Sequence, residues 1–326
     1  MIKLPAAPAR TLFAAVLMAV AATAASQPAY PTRPIHLISP FSPGGGNDIM
    51  ARLIARKLSE SVGQQVIVEN RPGGNSIIGS DAVAKSPPDG YTILLGGSNL
   101  VLVSLLIQTP FDPIKDFAPI ATVASGELIL VLNLSVPANN LRELIALAKS
   151  KPGLLNYATY GSGSVSHLGM ELLSAMAGIK MQNIPYKSGP PAITDLIGGQ
   201  VQMYLSVLPS VVPHIKSGRL KAVAISGERR SPALPQVATF TESGLPGFDA
   251  RYWQAIIAPA GTPKAVIDKL STEIARILAL PDTQDYLAKQ GMEPYVLTPE
   301  QTAAQTKAVM AKYAKIIRDA NIKIEN

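Results

Sequence analysis

Residues 35–50 read IHLISPFSPGGGNDIM, and this stretch decides the fold. The apolar segment IHLIS predicts a buried strand, and a helix pattern follows from Asp48 to about Ser61. Three glycines between them allow positive φ angles and a close approach of the backbone to another molecule. The first N–H groups of the helix have no partner within it and carry the positive end of its dipole, so this turn is a candidate anion site. The alternative is a tight turn in which Asn47 or Asp48 only caps the helix.

Strand patterns and helix patterns continue to alternate over the rest of the chain. Further strands are predicted at residues 65–69, 91–95, 118–133, 156–160, 182–186, 203–206, 220–226 and 251–258, and further helices at 77–85, 140–150, 165–177, 192–196, 211–217, 263–279, 281–289 and 299–320. Residues 228–247 carry prolines and little periodicity, as in a surface crossover. These βα repeats predict an α/β fold with mainly parallel sheets, in which ligands bind where strands run into helix starts.

A second glycine-rich turn, YGSGSVSH at residues 160–167, also lies between a strand pattern and a helix pattern. Its serines add hydroxyl donors to a helix start, and the alternative is ordinary helix capping by Ser162 or Ser164. Two such turns in different halves of the chain predict a clamp that holds a ligand from two sides.

Two other strand ends carry candidate wall residues for such a site. Ser98 and Asn99 follow the strand at 91–95 and are placed to cap the next helix. Ser206 stands near Pro209 and Ser210 at the end of another strand. The alternative at both strand ends is that these residues only form the turn and contact no ligand.

Several kinds of catalytic site are absent from the sequence. The chain has no cysteine, which excludes disulfides and thiolate chemistry. Residues 74–79 have the spacing of a phosphate-binding loop, but Ser80 stands where that motif needs lysine. There is no G-x-S-x-G elbow, and the three histidines are too dispersed for zinc. We therefore predict no enzyme activity, no cofactor and no metal; a secreted α/β hydrolase using His167 with Ser164 or Ser166 is the alternative.

Composition limits the partners. The formal net charge is +7, but the basic residues are scattered and only 5% of residues are aromatic. Nucleic acids need clustered cations or aromatic stacking surfaces, so a nucleic-acid partner is not expected. The positive charge is compatible with an anionic ligand without requiring one.

The N-terminal residues resemble an export signal. Lys3 and Arg10 precede an apolar run at residues 11–22, and Ala22-Thr23-Ala24 fits a signal-peptidase site. We predict a signal peptide over residues 1–25 and a periplasmic location. The remaining chain of about 300 residues is long enough to favour two domains.

Eight short motifs occur in an order that is typical of one family. They are PFSPGG at 40–45, VENRPGG at 68–74, PDGYT at 88–92, YGSGSVSHL at 160–168, PYK at 185–187, LPS at 208–210, RSPALP at 230–235 and ESGLPGF at 242–248. The series resembles the Bug (Bordetella uptake gene) family, the solute receptors of tripartite tricarboxylate transporters, over nearly the whole chain after the signal.

The resemblance implies a type II periplasmic binding protein, with two α/β domains joined by a hinge and a ligand cleft between them. Residues 26–127 and 249–326 would form domain one, and residues 128–248 domain two. Such a receptor would be a monomer that captures a small carboxylate and delivers it to integral-membrane permease subunits. A ligand sensor of the same fold without a permease is the alternative.

The resemblance also implies a set of ligand-binding residues. Backbone amides, hydroxyls and water would hold the carboxylate in place of arginines. The first turn would supply Phe41, Pro43, Gly44, Gly45, Gly46, Asn47 and Asp48; the second turn would supply Gly161, Ser162, Gly163, Ser164, Ser166 and His167; and Ser98, Asn99 and Ser206 would lie beside them.

Two departures from the family pattern bear on the ligand. Many relatives carry an aspartate shortly before the LPS motif, where this chain reads YLSV at 204–207. Without that negative charge, selection for an amino group weakens, so we predict a mono- or dicarboxylate without an amino group, aromatic acids included. Residues 187–191, KSGPP, replace the commoner Lys-Gly form and are expected to change how that loop enters the cleft.

Overall fold

The computed structural model describes residues 30–248, 250–290 and 292–319. The predicted signal peptide lies outside the described residues. The fold below belongs to the compact unit that begins at Arg33. Among the described residues, no helix has both the length and the apolar character needed to cross a membrane.

Ten strands and ten helices make up the described chain. The strands are β1 (Ile35–Ser39), β2 (Val66–Asn70), β3 (Thr92–Gly97), β4 (Phe117–Leu132), β5 (Asn156–Thr159), β6 (Gln182–Pro185), β7 (Met203–Val207), β8 (Lys221–Ile225), β9 (Arg251–Pro259) and β10 (Glu293–Pro294). The helices are α1 (Gly46–Val62), α2 (Ile77–Ala84), α3 (Ser98–Leu106), α4 (Leu141–Ser150), α5 (Val165–Ala177), α6 (Gly189–Ile197), α7 (Leu208–Lys216), α8 (Lys264–Leu278), α9 (Pro281–Lys289) and α10 (Pro299–Asp319).

The strands form a mixed sheet in the order β2-β1-β3-β9-β4-β7-β5-β6. The sets β2-β1-β3 and β7-β5-β6 are parallel. In contrast, β9 pairs antiparallel with β3 and β4, and β4 pairs antiparallel with β7, β8 and β10. The prediction of mainly parallel sheets was therefore wrong for the centre of the sheet, because alternating strand and helix patterns do not encode the direction in which β4 and β9 pair.

Strand β4 connects the two parallel sets. Its first part, Phe117–Glu127, pairs with β9, whereas Leu128–Leu132 pairs with β7 and β8. Nearly every residue of β4 and β9 is buried or half-buried, because both faces of these strands are covered. One strand thus runs through both parts of the sheet.

Each parallel set reverses its direction of growth at its middle strand. β1 lies between β2 and β3, and β5 lies between β6 and β7. At such a reversal, the loops leaving neighbouring strands separate and leave a crevice at the carboxyl ends of the strands. The fold therefore has two candidate crevices, one for each parallel set.

Candidate functional site

One cavity lies where the carboxyl ends of the two parallel sets meet. Its empty space is about 650 Å³ including the opening to solvent, within the range of small-molecule sites. The lining residues are Pro40, Phe41, Ser42, Gly45, Gly46, Asn47, Ser76, Ser80, Gly96, Ser98, Asn99, Leu100, Tyr160, Ser188, Gly189, Pro190, Tyr204, Val207, Ser210, Tyr252, Trp253 and Gln254.

Five helices begin at this cavity. α1, α2 and α3 follow β1, β2 and β3, while α6 and α7 follow β6 and β7, and residues at or next to each helix start line the cavity. The starts from the two sets touch: the Gly46 N–H donates to Ser210 Oγ at 3.2 Å. A Cβ placed on Gly45 would lie 3.8 Å from Pro190. The cavity is thus enclosed by loops from both parallel sets.

These five helix starts have no side-chain cap. Their N-cap residues are Gly45, Ser76, Gly97, Ser188 and Val207, and none accepts a hydrogen bond from the first turn. By contrast, Asn140 and Ser164 cap α4 and α5, which begin outside the lining. Uncapped helix starts offer N–H groups and a positive dipole end to whatever fills the cavity.

Several lining side chains are buried polar groups whose hydrogen bonds are not satisfied by the described residues. The atoms concerned are the hydroxyls of Ser76, Ser80, Ser188 and Tyr252, Trp253 Nε1 and Gln254 Oε1. Buried polar atoms in folded proteins are nearly always hydrogen-bonded, so these atoms mark where a ligand or water binds. Five of the six are donors, which suits an acceptor-rich ligand such as a carboxylate.

The cavity is electrically neutral apart from the helix dipoles. Among the described residues that line it, none is Lys, Arg, Asp, Glu or His. Burial raises the pKa of Tyr160, Tyr204 and Tyr252 above the usual value, so all three phenols stay protonated and able to donate. The site therefore has no carboxylate to pair with an ammonium group.

The first glycine-rich turn lies at the cavity, and its members differ in position. Phe41, Gly45, Gly46 and Asn47 line the cavity. Pro43 and Gly44 are exposed and do not line it.

Asp48 supports this turn from behind the lining. Its carboxylate accepts hydrogen bonds from the Gly44 N–H (3.0 Å), Arg52 Nε (2.9 Å) and Asn70 Nδ2 (3.0 Å). Burial alone would raise the pKa of Asp48, but these hydrogen bonds outweigh burial and hold the pKa below its ordinary value. Asp48 therefore holds the turn in shape and stays ionised.

The second glycine-rich turn lies behind the cavity wall. A Cβ on Gly161 would come within 2.7 Å of Asn75 Cβ, so Asn75 packs directly on this turn. Asn75 Nδ2 donates to the Ser162 carbonyl at 3.1 Å, and the Val165 N–H donates to Asn99 Oδ1 at 3.2 Å. Apart from Tyr160, residues 160–167 do not line the cavity. Side chains of the first parallel set occupy the place that a ligand carboxylate was predicted to take.

The histidine and serines of this turn are not arranged for catalysis. Ser164 Oγ accepts from the His167 N–H (3.2 Å), and Ser166 Oγ donates to the Leu205 carbonyl (2.7 Å). His167 Nδ1 accepts from the Gly163 N–H at 3.0 Å. Burial lowers the pKa of His167 to about 4. Neither serine hydroxyl contacts the imidazole, so a nucleophile–base pair does not form here.

Two other predicted residues act through tyrosines of the lining. The Ser166 N–H forms a hydrogen bond to Tyr160, and the Ser206 side chain forms one to Tyr204. Ser206 itself is buried and does not line the cavity. These contacts orient the phenols whose rings form part of the wall.

Ser98 and Asn99 do line the cavity, but not as caps of α3. Gly97, with φ 136°, is the N-cap, and Ser98 is the first residue of the helix. Gly97 is required there, because a Cβ would lie 2.1 Å from the Trp253 carbonyl. The predicted capping role was wrong because β9 passes too close to leave room for a side chain at the N-cap.

Several lining residues were not predicted from the sequence. Five of them carry unpartnered atoms but lie outside the two glycine-rich turns that were predicted to bind: Ser76, Ser80, Ser188, Trp253 and Gln254. Ser188 lies in the unusual 187–191 segment, which was the one available signal. Trp253 and Gln254 sit within β9, where nothing in the pattern separates a wall residue from a core residue.

The fold and the cavity define a class of protein. Two parallel strand sets joined by antiparallel strands direct helix starts into one shared cavity, as in type II periplasmic binding proteins. The matching family and the similar structures are solute-binding receptors, and the protein is such a receptor, not an enzyme.

Comparison with known proteins gives the family. The family described as "Tripartite tricarboxylate transporter family receptor" matches residues 50–322, and the chain belongs to it. BugT of Bordetella pertussis is 39% identical over 315 residues, which cover 95% of this chain and 97% of BugT. The resemblance to the Bug family is confirmed.

Solved structures agree with this assignment. Rpa4515 of R. palustris, solved with adipate, is 33% identical with a TM-score of 0.88, over 90% of this chain and 99% of its own. MatC from Rhodopseudomonas palustris, solved with bound malate, is 29% identical with a TM-score of 0.81, over 88% of this chain and 100% of its own. The α/β periplasmic-binding fold is confirmed.

Proposed function

We propose that this protein captures a small carboxylate without an amino group in the cavity described above. The carrying observation is the set of buried, unpartnered donors among five uncapped helix starts, with no charged side chain in the described lining. Neutral donors and helix dipoles stabilise an anion, whereas an ammonium group would be buried there without a counter-charge. The adipate and malate held by similar receptors support the ligand class.

The body of the ligand is apolar and of modest size. Phe41, Tyr160, Tyr204, Tyr252 and Trp253 all contribute to the wall. The Phe41 and Tyr160 rings meet edge to face with centroids 5.9 Å apart. Aromatic walls favour a hydrocarbon or aryl body between acid groups. Both aliphatic and aromatic acids therefore belong among the candidates, as mono- or dicarboxylates.

We infer two domains that close on this ligand. Domain one would be residues 26–127 with 249–326 and domain two residues 128–248, since β4 changes partners between Glu127 and Leu128. The contacts of Gly46 with Ser210 and of Asn75 with Ser162 would then bridge the domains. Ligand contacts to both domains favour the closed state.

Family membership supports a role in transport. Receptors of this family work with membrane transporters. We propose that the protein is exported to the periplasm through residues 1–25, acts as a monomer, and delivers its solute to integral-membrane permease subunits.

A binding screen tests the ligand class. Protein refolded to remove carried-over ligand is melted with adipate, malate, benzoate and glutamate, and affinities are measured by calorimetry. We expect stabilisation by at least one of the first three acids and none by glutamate. A ligand at a hundred times its Kd stabilises by about 2.7 kcal/mol, which a melting curve detects readily.

Gly45→Val is the loss-of-binding variant. Gly45 has φ −82°, which valine adopts without strain, and its Cβ position makes ordinary contacts of 3.8 Å with Pro190 and the Ser42 carbonyl, so the added methyl groups occupy the lining of the cavity. Gly198→Val, at φ −72° beyond the end of α6 and outside the lining, is the control. We expect only Gly45→Val to abolish the ligand-dependent shift. Wild-type protein that binds glutamate but none of the other acids contradicts the proposal.

A further inference from the structure

Ser76 and Ser80 stand out among the buried hydroxyls. Ser76 is 2% exposed and Ser80 is fully buried; both line the cavity, and neither hydroxyl has a hydrogen-bond partner among the described residues. Ser76 is the N-cap of α2, and the Ser80 N–H donates to the Ser76 carbonyl at 3.0 Å. Both hydroxyls therefore belong to the start of the same helix.

Neither serine uses the partner that its position normally provides. A serine at an N-cap usually accepts from the first helical turn, but Ser76 has φ 79° and makes no cap. A serine inside a helix often donates to the carbonyl four residues earlier, as Ser59 and Ser174 do at 2.7 and 2.9 Å. Ser80 does not. Both hydroxyls are therefore available to a molecule in the cavity.

The backbone around these serines is held tightly. Between them, a Cβ on Gly79 would lie 2.8 Å from Pro40 Cβ and 2.9 Å from the Arg71 carbonyl, so α2 packs directly on the neighbouring loops. Asn75, next to Ser76, donates to the Ser162 carbonyl and accepts from Asn99 Nδ2 at 3.2 Å. The serines cannot turn toward solvent without breaking these contacts.

We propose that Ser76 and Ser80 form a hydrogen-bonding subsite that donates to an acceptor oxygen of the bound acid. This rests on the proposed function, since it assigns two donors of the same cavity. The subsite takes a carboxylate or hydroxyl oxygen, because serine hydroxyls at a helix start offer hydrogens to an electron-rich atom. Asn75 is a positioning residue, which fixes the subsite through its contact with the turn at 160–167.

Two conservative variants test the subsite. Ser80→Ala removes one donor, and Ser76→Gly removes the other at a positive φ that glycine adopts without strain. Each variant is tested by calorimetry with adipate, malate and benzoate, and by melting of the ligand-free protein. Ser174→Ala, which removes a hydroxyl already bonded to the Met170 carbonyl outside the lining, is the matched control.

We expect roughly a tenfold or greater loss of affinity in Ser80→Ala and Ser76→Gly for the acid that wild-type protein binds. The ligand-free melting temperature of Ser80→Ala should not fall, because the buried hydroxyl there has no partner to lose. Ser174→Ala should keep the affinity of wild type, because its hydroxyl is bonded to the Met170 carbonyl and does not line the cavity.

Two results distinguish a failure of the proposed function from a failure of the serine subsite. If wild-type protein binds none of the three acids, the proposed function fails and the subsite with it. If wild-type protein binds an acid and both variants bind it within twofold of wild type, only the subsite is wrong. A fall of about 1 kcal/mol or more in the ligand-free stability of Ser80→Ala also overturns it, because the hydroxyl would then have a partner within the protein.

Discussion

Side chains around the cavity fall into two groups according to what their polar atoms contact. In the first group, the polar atoms form hydrogen bonds with neighbouring loops and fix the shape of the wall; its members are Asp48, Asn75 and Asn99. Ser76, Ser80 and Ser188 leave theirs unpartnered in the cavity. An unpartnered buried hydroxyl lowers the stability of the ligand-free protein. The first group therefore holds the second in a geometry that becomes favourable only when a ligand supplies the missing hydrogen bonds.

His167 makes the stability of the protein depend on pH. Its pKa falls from 6.5 to about 4 because burial disfavours the imidazolium. Between these values the unfolded chain binds a proton that the folded protein does not, so stability is lost as pH falls through this window. A shift of this size costs about 3 kcal/mol once complete, below pH 4.

His167→Asn isolates this effect. Asparagine can accept from the Gly163 N–H where His167 Nδ1 does, but it does not titrate. Urea unfolding at pH 7 and at pH 4.5 should show a larger loss of stability in wild-type protein than in the variant. Equal losses would show that His167 is free to become protonated in the folded protein.

Helix starts differ in whether a side chain caps them, and α8 and α9, whose starts lie outside the lining, also have no side-chain cap. α4 and α5 are capped by their own side chains, and α5 is also covered by Asn99. The starts of α1, α2, α3, α6 and α7 reach the cavity without such caps. Whether a helix start binds a ligand thus depends on what packs against it, since every start has the same unsatisfied N–H groups.

Gly161→Ala probes the contact between the second turn and Asn75. Gly161 has φ +126°, and its new Cβ would lie 2.7 Å from Asn75 Cβ. We expect a loss of about 1–3 kcal/mol beyond the backbone strain, because two packed loops must separate. Affinity for the bound acid should also fall, since Asn75 adjoins Ser76. Urea unfolding and calorimetry measure the two effects.

Gly178→Ala is the control for backbone strain alone. Gly178 has φ +61°, and nothing lies within 4 Å of its Cβ position. It should lose only about 1 kcal/mol of stability and keep the affinity of wild type. If Gly161→Ala and Gly178→Ala behave alike in both measurements, the contact with Asn75 does not support the site.

The whole molecule joins two parallel strand sets through the antiparallel strands β4 and β9. β4 pairs with β9 along its first part and with β7 and β8 along its second. The cavity between loops of both sets exists only because β4 and β9 hold the two sets side by side. The proposed closure would move one set relative to the other, as in the hinge closure of periplasmic binding proteins.

Closure can be measured between two labels. The sequence has no cysteine, so Lys115→Cys and Lys149→Cys place the only two thiols, at exposed positions in the proposed domains one and two. Spin-label distances should become shorter and more narrowly distributed when the acid binds. The same labels on Gly45→Val should not respond. A wild-type distribution unchanged by saturating ligand contradicts closure.

The sequence predicted most elements because local physics decides them. The helices at 165–177 and 281–289 were predicted at their observed bounds, and the strand IHLIS is β1. Amphipathic spacing, proline at helix starts and glycine at turns are local signals that tertiary packing reinforces here. Elements without such signals, such as β10, were missed.

The candidate site was predicted less completely, since a cavity is made by distant residues. The turn at 41–48 reaches the cavity, whereas the turn at 160–167 has the same pattern of glycine and serine and is covered. Ser76 and Trp253 line the cavity without any motif to mark them. The sequence pattern shows which backbone groups lack a hydrogen-bond partner within their own helix or strand. It does not show which residue from elsewhere in the chain provides that partner.

Taken alone, the sequence determined the alternation of strands and helices, the absence of cysteine and metal-ligand motifs, and the family. These depend on residue type and short-range spacing. Only the tertiary structure decided the direction of the central strands, which helix starts stay open, and which hydroxyls are buried without partners. Those depend on contacts between residues far apart in the chain, such as Asn75 with Ser162 and Gly97 with Trp253, whose pairing no local pattern encodes.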